Sequence, residues 1–382
     1  MKSKKVLHIV TVSFSISYFL GEQFRYLKNK TGNTYFVACS DSPELFFNAQ
    51  KLGYLPFSFS ITRKINPIGD LKAIFQLMKF IKQNNIDVVV AHSPKGGLVG
   101  MIAAFLAGVR SRIYFRHGIV YETSRGTKRF LLKVIEKISG NLAQKVVNVS
   151  KDVEDIAIKD RLNSKEKNII LGKGTCNGVD CKVKYNPKFY SQDKVNALKS
   201  KYNISDTDFV VGFVGRLVRD KGIDDIIDAW KILSSKYENI KLLLVGPFEE
   251  RDSIKESNKS YIKNSESIVF TDYVQNTAIF YKLMNIFILP TYREGFPTVA
   301  LEASSMELPV IITKATGCKE AIIENKTGVF IENSSYSIVS GIEKYINNPN
   351  LIQKQGEAGR KFVLDDFQQE KIWDIINKKL DY

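Results

Sequence analysis

Short apolar runs alternate with stretches of helical spacing along this chain, and that alternation limits the possible folds more than any other feature. Val6–Val12, Val88–Ala91 and Phe209–Val214 are rich in β-branched and other apolar residues, whereas Leu71–Gln83 has the spacing of an amphipathic helix. Apolar strands bracketed by helices are typical of parallel sheets that helices cover on both faces. Two such series predict an α/β protein of two doubly wound, Rossmann-like domains that face each other across a cleft.

The chain has 382 residues, about the right length for two such domains. We expect an N-terminal domain over residues 1–185, a linker over residues 186–207 and a C-terminal domain over residues 208–364. A last helix, residues 365–382, carries apolar residues on one face and needs a surface on either domain to bury them.

The excess positive charge is confined to the N-terminal half. Residues 1–185 contain 30 Lys and Arg against 13 Asp and Glu, a net charge of +17, whereas residues 186–382 contain 26 against 27, a net charge of −1. Such a field attracts nucleic acid, an anionic membrane surface or a phosphate-bearing substrate. The sequence has no zinc-ligand spacing, aromatic–basic RNA-reading run or helix-turn-helix pattern, so we expect no nucleic-acid partner.

Cysteine usage and the N-terminal segment bear on the compartment. The four cysteines form no CxxC pair, which favours reduced thiols in a cytoplasmic protein. The first residues imitate a secretory signal, but His8, the interspersed serines and the lack of a small-x-small cleavage site favour a buried first strand. The sequence contains no run of about 18 uninterrupted apolar residues, so we expect no membrane-spanning helix.

The segment GRLVRDKG, residues 215–222, follows the strand Phe209–Val214. Gly215 permits a tight turn at the carboxyl end of the strand, where ligands of doubly wound sheets bind. Arg216 and Lys221 place two cations in that crevice, and two fixed cations suit a diphosphate leaving group. A solvated basic loop explains the same residues equally well.

A second segment, residues 293–310, follows another buried strand. Pro297 is a favourable first residue of a helix, and the free N–H groups near Phe296–Val299 would bind an anion. Glu294 precedes this helix, and Glu302 lies about one turn into it. A mostly buried carboxylate needs partners, for which sugar hydroxyls are suitable; capping or salt-bridged glutamates fit the spacing as well.

The chain contains three histidines. His117 follows a strand and stands beside a glycine, and catalytic side chains collect at such strand ends. His8 lies inside the first strand, which favours a hydrogen-bonded core residue. His92 lies at another strand end, where it either lines the cleft or caps the following helix.

Several motifs occur in order along the chain: GRLVRDKG, the spacing of Glu294 to Glu302, TGCKEAI with NKTGVFI, and NGVD at residues 177–180. Together they resemble the family-four retaining glycosyltransferases of GT-B fold. The N-terminal half, with TVSFS, HSPKGGLVG, RHGIVYET and LGKGTCNGVD, is similar to the CapM-like capsular-polysaccharide branch. The resemblance spans nearly the whole chain.

This resemblance implies roles for individual residues. Arg216 and Lys221 match the cations that hold the donor diphosphate, Glu294 the contact to donor-sugar hydroxyls, and Glu302 the contact to the ribose. His117 matches a cleft histidine near the anomeric centre, so His117 and Glu294 are the predicted catalytic residues. In this fold the C-terminal helix crosses back onto the N-terminal domain. The loop and helix start that meet sugar and phosphate correspond to Gly295, Phe296, Pro297 and Thr298.

The resemblance also implies the reaction. The family transfers sugars with retention by front-face attack, in which the leaving phosphate helps to take the acceptor proton; the residues themselves show no nucleophile. Arg216, Lys221 and the helix N-terminus would do the electrostatic work of a divalent ion, and no Asp-x-Asp pattern stands at a strand end, so we expect neither a metal nor another cofactor. Family habit suggests a UDP-linked donor, an N-acetylhexosamine, and a lipid-diphosphate-linked saccharide acceptor in capsule, O-antigen or other surface-glycan synthesis.

The acceptor side is less marked in the sequence. Many relatives carry a Gly-Gly pair in the first loop, where this chain has TVSFSIS. We therefore assign Ser13 and Ser15 to the acceptor side, together with His92 and Lys95 at the next strand end.

Residues 124–147 alternate basic residues with apolar ones such as Phe130 and Leu131. A basic amphipathic helix of this kind lies on an anionic membrane, or else buries its apolar face in its own domain. The positive charge of this half and the family's lipid-linked acceptors favour the membrane. We thus expect a cytoplasmic protein bound peripherally to the inner face of the cytoplasmic membrane.

Two other functions fit part of the pattern. A nucleotide-sugar 2-epimerase of the same fold would use the donor crevice without an acceptor surface, and the basic N-terminal half disfavours it. A non-catalytic nucleotide-sugar-binding protein could lose Arg216, Lys221 or Glu294, yet all three are present.

Overall fold

A computed structural model describes residues 3–62 and 66–380. The ends of the predicted N-terminal domain and C-terminal helix, residues 1–2 and 381–382, therefore lie outside the described residues. The chain divides into two compact units, one formed by the chain up to Gly178 together with the segment from Gln369, the other by Val179–Gln368.

The first unit is built on a seven-stranded sheet in which every pair of neighbouring strands is parallel. The strand order is β3-β2-β1-β4-β5-β6-β7, so the order reverses between β1 and β4. Ligands of such sheets bind outside the carboxyl ends of the strands at this reversal, the topological switch point. The strands are β1 (Lys5–Ile9), β2 (Thr34–Cys39), β3 (Leu55–Ser58), β4 (Val88–His92), β5 (Ser111–Arg116), β6 (Lys145–Asn148) and β7 (Asn168–Ile170).

Helices connect these strands, and α4 (Pro67–Asn84) shows how a start is fixed by the capping chemistry of the sequence. The Asn66 side chain accepts a hydrogen bond from the Gly69 amide at 3.1 Å, and Pro67 follows as the first helical residue, a combination that favours a helix start. The helices are α1 (Phe14–Phe19), α2 (Gln23–Thr31), α3 (Pro43–Leu52), α4 (Pro67–Asn84), α5 (Pro94–Leu106), α6 (Gly126–Leu142) and α7 (Lys151–Lys159).

The second unit is built on a six-stranded parallel sheet of order β10-β9-β8-β11-β12-β13. Its switch point lies between β8 and β11. The strands are β8 (Phe209–Val214), β9 (Ile240–Val245), β10 (Ile268–Phe270), β11 (Ile286–Leu289), β12 (Val310–Thr313) and β13 (Gly328–Ile331). The helices are α8 (Gln192–Lys201), α9 (Ile223–Lys236), α10 (Glu256–Asn264), α11 (Thr298–Ser305), α12 (Ser335–Ile346) and α13 (Asn350–Asp366).

The prediction of a linker over residues 186–207 is wrong. This stretch contains α8 and belongs to the second unit, as do residues 179–185. Val195 of α8 is buried, and the Tyr202 ring lies 5.8 Å from the Phe280 ring. A few apolar contacts are enough to fix this otherwise polar helix on the domain.

The C-terminal segment begins at Gln369 rather than at residue 365, because α13 continues to Asp366. Its helix α14 (Gln369–Leu380) packs against α2 of the first unit. The Trp373 indole donates to the Asn177 side chain at 2.7 Å, and Ile372 and Ile376 are buried. The apolar stripe of this helix is therefore covered by the first unit.

No helix in residues 3–62 and 66–380 has the length and apolar character required to cross a bilayer.

Candidate active site

Two sequence motifs of the second unit leave the sheet at its switch point. Residues 215–222 follow β8, and residues 290–297 follow β11. Gly222 has a φ of +71°, and a Cβ at this position would collide with the carbonyl oxygen of Pro290. Because only glycine tolerates both conditions easily, Gly222 lets the two motifs approach each other at the carboxyl end of the sheet.

Lys221 and Glu294 form an ion pair at this point. Their side chains are only 19% and 13% exposed, so solvent screens the pair weakly. The Glu294 amide donates to the carbonyl of Thr316 at 2.8 Å, and a Cβ on the neighbouring Gly317, whose φ is +80°, would meet the Glu294 and Gly295 carbonyls. The TGCKEAI motif thus holds the loop that carries Glu294, and the predicted phosphate cation and sugar carboxylate lie side by side.

Arg216 also has a carboxylate partner. Its guanidinium forms an ion pair with Glu249, which follows β9, and the Arg216 side chain remains 56% exposed. Arg293, the residue before Glu294, pairs with Asp220, the residue before Lys221, at 2.6 Å. The sequence placed the cations at this strand end but gave no sign of which acids would pair with them.

Glu302 lies on α11 and is buried. The Tyr281 hydroxyl donates to Glu302 Oε2 at 2.9 Å. Burial raises the pKa of the Glu302 carboxyl, although the charge of Lys184 and the hydroxyls of Tyr185 and Tyr281 act in the opposite direction. The tyrosine partners were not predicted, since nothing in their spacing relates them to Glu302.

The predicted anion-binding helix start is α11. It begins at Thr298, with Pro297 as the residue before the helix rather than its first member. The Thr298 amide donates to the carbonyl of Phe296 at 3.0 Å, so this amide is already engaged. The Phe296 ring is buried with its centroid 5.5 Å from that of Phe367, which fixes the loop next to Gly295.

The switch point of the first unit brings the three histidines together. His8 Nδ1 lies 3.1 Å from His92 Nε2, and His92 Nδ1 lies 3.0 Å from His117 Nε2. His92 is 1% exposed and is not the residue that precedes α5, which is Ser93. It therefore neither caps that helix nor lies on a surface, but joins the other two rings.

His117 is held by the end of β5 and by α1. Its ring stacks on Phe19, with centroids 3.7 Å apart. The preceding residue, Arg116, is fully buried and bonds Glu136 of α6 at 2.8 Å and Asn148 of β6 at 2.9 Å. This buried clamp fixes the backbone from which His117 projects.

Two of the remaining predicted acceptor residues, Ser13 and Lys95, have side-chain partners in the protein. The Ser13 hydroxyl donates to Glu44 at 3.3 Å, and Lys95 forms an ion pair with Asp70. Ser15 is buried in α1, a helix in the segment that the sequence suggested was a loop. Contact of Ser15 with an acceptor therefore has no support from its position.

Within the described part of the chain, no three His, Cys, Asp or Glu side chains converge in an arrangement that could hold a metal ion.

Comparison with known proteins identifies the family. Residues 194–362 match the family described as Glycosyl transferases group 1, and residues 5–150 match Glycosyl transferase 4-like. The chain is 35% identical over 378 residues to the capsular polysaccharide biosynthesis glycosyltransferase CapM of Staphylococcus aureus, an alignment that covers 98% of this chain and 96% of that protein. It is 27% identical over 293 residues to the UDP-Gal:alpha-D-GlcNAc-diphosphoundecaprenol alpha-1,3-galactosyltransferase of Escherichia coli, with 75% and 72% covered.

Among solved structures, that of Anabaena HepE in complex with UDP and glucose superposes with a TM-score of 0.82 at 18% identity, over 99% of each chain. The predicted α/β fold of two doubly wound domains is confirmed, and it is that of the GT-B glycosyltransferases. The identity of 35% with CapM, over 98% of this chain, shows that this chain is a glycosyltransferase as well. It belongs to the family of group 1 and 4-like glycosyltransferases.

Proposed function

We propose that this enzyme takes a sugar from a UDP-linked donor and transfers it, with retention, to a saccharide carried on a lipid diphosphate. The observation that carries the proposal is the pairing of Lys221 with Glu294 at the switch point of the second unit. A diphosphate requires cations, and a hexose requires acceptors for its hydroxyls. This pair, with Arg216 on the same loop, supplies both kinds of group.

The relatives support the same substrates. HepE was crystallised with UDP and glucose, and the name of the Escherichia coli relative specifies a UDP-sugar and a diphosphoundecaprenol-linked acceptor. CapM is named for capsular polysaccharide biosynthesis. We infer the corresponding place for this chain, in surface-glycan synthesis. For the transferred sugar we propose an N-acetylhexosamine, which the name of a Campylobacter jejuni relative, an N-acetylgalactosaminyltransferase 24% identical over 327 residues, specifies.

We propose that the cations of the protein replace a metal ion. The exposed pair of Arg216 and Glu249 contributes only about 0–1 kcal/mol, so a phosphate can displace Glu249 from Arg216 at little cost. Charge that develops on the leaving diphosphate would then be stabilised by Arg216 and Lys221. Turnover is expected to be unchanged in excess EDTA, and loss of activity that Mg²⁺ or Mn²⁺ restores would contradict this.

The activity is tested with the full chain and a panel of nucleotide-sugars. Thermal shift first selects the donor, because a bound ligand raises stability by mass action. The selected donor is then incubated with a polyprenyl-diphosphate-linked saccharide, and the product anomer is assigned by NMR. Transfer with retention supports the proposal. A nucleotide-sugar isomer formed without acceptor would identify an epimerase, and stabilisation without any product would identify a binding protein.

For the acceptor side we propose contact with an anionic membrane through the apolar face of α6, defined by Phe130, Leu131 and Ile138. These side chains are 71%, 42% and 38% exposed, whereas the same helix buries Glu136 and Ser139. Burial of polar residues and exposure of apolar ones reverses the usual pattern of a surface helix. The Glu136 carboxylate tolerates burial because Arg116 compensates its charge, and the apolar face is left for another surface.

A liposome assay tests this contact. The protein is expected to pellet with vesicles that contain phosphatidylglycerol, to be released by salt, and to bind neutral vesicles weakly. Phe130→Asp should reduce binding at least fivefold. Tyr336→Asp is the matched control, since Tyr336 is an 81% exposed aromatic residue of the second unit. Binding that is indifferent to lipid charge, or equal effects of the two substitutions, would contradict the proposal.

A further inference from the structure

The register of the first sheet places the three histidines on one diagonal. His8 of β1 is opposite Val90 of β4, and His92 lies two residues beyond Val90. His92 is in turn opposite Phe115 of β5, and His117 lies two residues beyond Phe115. Side chains two residues apart point to the same face of a sheet, so each histidine reaches the next across neighbouring strands.

We call His8, His92 and His117 the histidine row. Its hydrogen bonds tie the protonation of each ring to that of its neighbour. Each bond needs one N–H and one lone pair, and His92 uses both of its nitrogens, Nε2 toward His8 and Nδ1 toward His117. A neutral His92 protonated on Nδ1 donates to His117 Nε2 and accepts from His8 Nδ1. A neutral His92 protonated on Nε2 donates to His8 Nδ1 and accepts from His117 Nε2. Neutral rings are therefore all protonated on Nδ1 or all on Nε2.

The surroundings keep the rings neutral. His8 and His92 are each 1% exposed, and their neighbours are the rings of Phe24 at 4.9 Å and Phe115 at 4.8 Å. Burial lowers the pKa of His8 to about 3 and also places the pKa of His92 well below its usual range. Tyr35, with its ring 6.4 Å from that of His8, has a pKa raised by burial and is neutral as well.

We infer that His8 and His92 are positioning residues that set the tautomer of His117, so that the three rings behave as one unit. Nε2 of His117 is occupied by His92, and Nδ1 is then the nitrogen left for a ligand. That atom is a hydrogen-bond donor when the row is protonated on Nδ1 and an acceptor when it is protonated on Nε2. The inference rests on the proposed function only for the nature of that ligand, a sugar or phosphate oxygen.

The tautomers can be read by NMR on the full chain, made with ¹⁵N-labelled histidine and no histidine tag. Three histidines in the sequence give three ring systems, and long-range ¹H–¹⁵N correlation shows which nitrogen of each is protonated. We expect three neutral rings of one common tautomer from pH 6 to pH 8. Different tautomers in two rings, or a ring that titrates alone near the usual 6.5, would overturn the inference.

Two substitutions of His8, whose Nδ1 is hydrogen-bonded to His92, extend the test. In His8→Phe the Nε2 of His92 has no imidazole partner, and a buried N–H without an acceptor is more costly than an unused lone pair. Both remaining histidines should therefore be protonated on Nδ1. A purely structural role of His8 would lower the melting temperature without setting the tautomer, and a His117 ring protonated on Nε2 in His8→Phe would overturn the inference.

His8→Gln is the conservative variant, because its amide can still pair with His92 Nε2. It should keep His92 and His117 in the tautomer of the wild type, and opposite tautomers in these two rings would overturn the inference even if His8→Phe does not fold. The spectra are recorded without substrate. A failure of sugar transfer would therefore refute the proposed function and leave this result standing, and the reverse also holds.

Discussion

Glu294 forms an ion pair with Lys221 and has a proposed contact to the donor sugar. Replacing it with glutamine separates these two roles. Glu294→Gln keeps the size of the side chain and a hydrogen-bond acceptor but removes the negative charge beside Lys221. Hydrogen bonds to charged groups contribute about 1.5–3 kcal/mol and neutral ones about 0.5–1.5 kcal/mol. The proposed bond to a donor-sugar hydroxyl should therefore weaken by about 1–2 kcal/mol. Since we propose that this bond is made in the transition state, the loss corresponds to a roughly five- to thirtyfold fall in kcat.

The affinity for UDP should respond in the opposite direction. Without the Glu294 charge, Lys221 does not have to break an ion pair before it binds a phosphate. Both side chains are largely shielded from solvent, so this competition is only partly screened. We expect the Kd for UDP to stay constant or to fall, while kcat decreases.

Isothermal titration with UDP and initial-rate measurements with donor and acceptor test this pair of expectations. Glu249→Gln is the matched control, because it also frees a cation, Arg216, but removes no proposed sugar contact; its kcat should stay within about twofold of wild type. A tenfold rise in the Kd for UDP in Glu294→Gln, with an unchanged melting temperature, would refute the sugar-contact role.

Three further predictions concern stability. Gly222→Ala should lower the free energy of unfolding by about 1–2 kcal/mol for the left-handed backbone alone, and by more through the contact with the Pro290 carbonyl, as measured by urea denaturation. Glu136→Gln leaves the buried Arg116 charge without its counter-ion and should cost about 3–5 kcal/mol. A comparable loss from Glu256→Gln, whose side chain is 82% exposed in its pair with Lys259, would show that burial is not the cause. Glu302→Gln should raise the melting temperature at pH 8 and not at pH 4. A carboxyl whose pKa is raised by folding destabilises the native state at pH values above its usual pKa of 4.5 and not below it. Equal effects at both pH values would contradict this.

Much of the fold can be predicted from the sequence, because buried parallel strands are apolar without interruption. Val88–His92 and Phe209–Val214 were recognisable for this reason. Helices with little apolar surface were not. α1 buries only Ser15 and Ile16 and was taken for a loop, and α8 buries only Val195 and was taken for a linker. The stability of such helices comes from tertiary contacts, which leave little periodicity in the sequence.

The candidate site was predictable in its positions and not in its partnerships. Arg216 and Glu294 follow strands that the sequence marks clearly, and the carboxyl ends of parallel strands share one edge. Which histidines touch depends on register, since a shift of one residue turns a side chain to the other face. The contact of His8 with His92 spans 84 positions of sequence, and no local pattern encodes it.

Charge compensation in the second unit gives the two halves of the enzyme different electrostatic tasks. Three cations near its switch point each pair with an acid: Arg216 with Glu249, Lys221 with Glu294, and Arg293 with Asp220. A fourth, Arg219 of the same loop, donates to the carbonyl of Ser253. Residues 186–382 carry a net charge of −1, so the charge of this half is nearly balanced overall, and the proposed UDP-sugar would have to displace specific acids from these cations. Selectivity for a diphosphate then arises from geometry rather than from a general attraction. The net +17 of residues 1–185 is not balanced in this way, which suits long-range attraction of a lipid diphosphate and an anionic membrane.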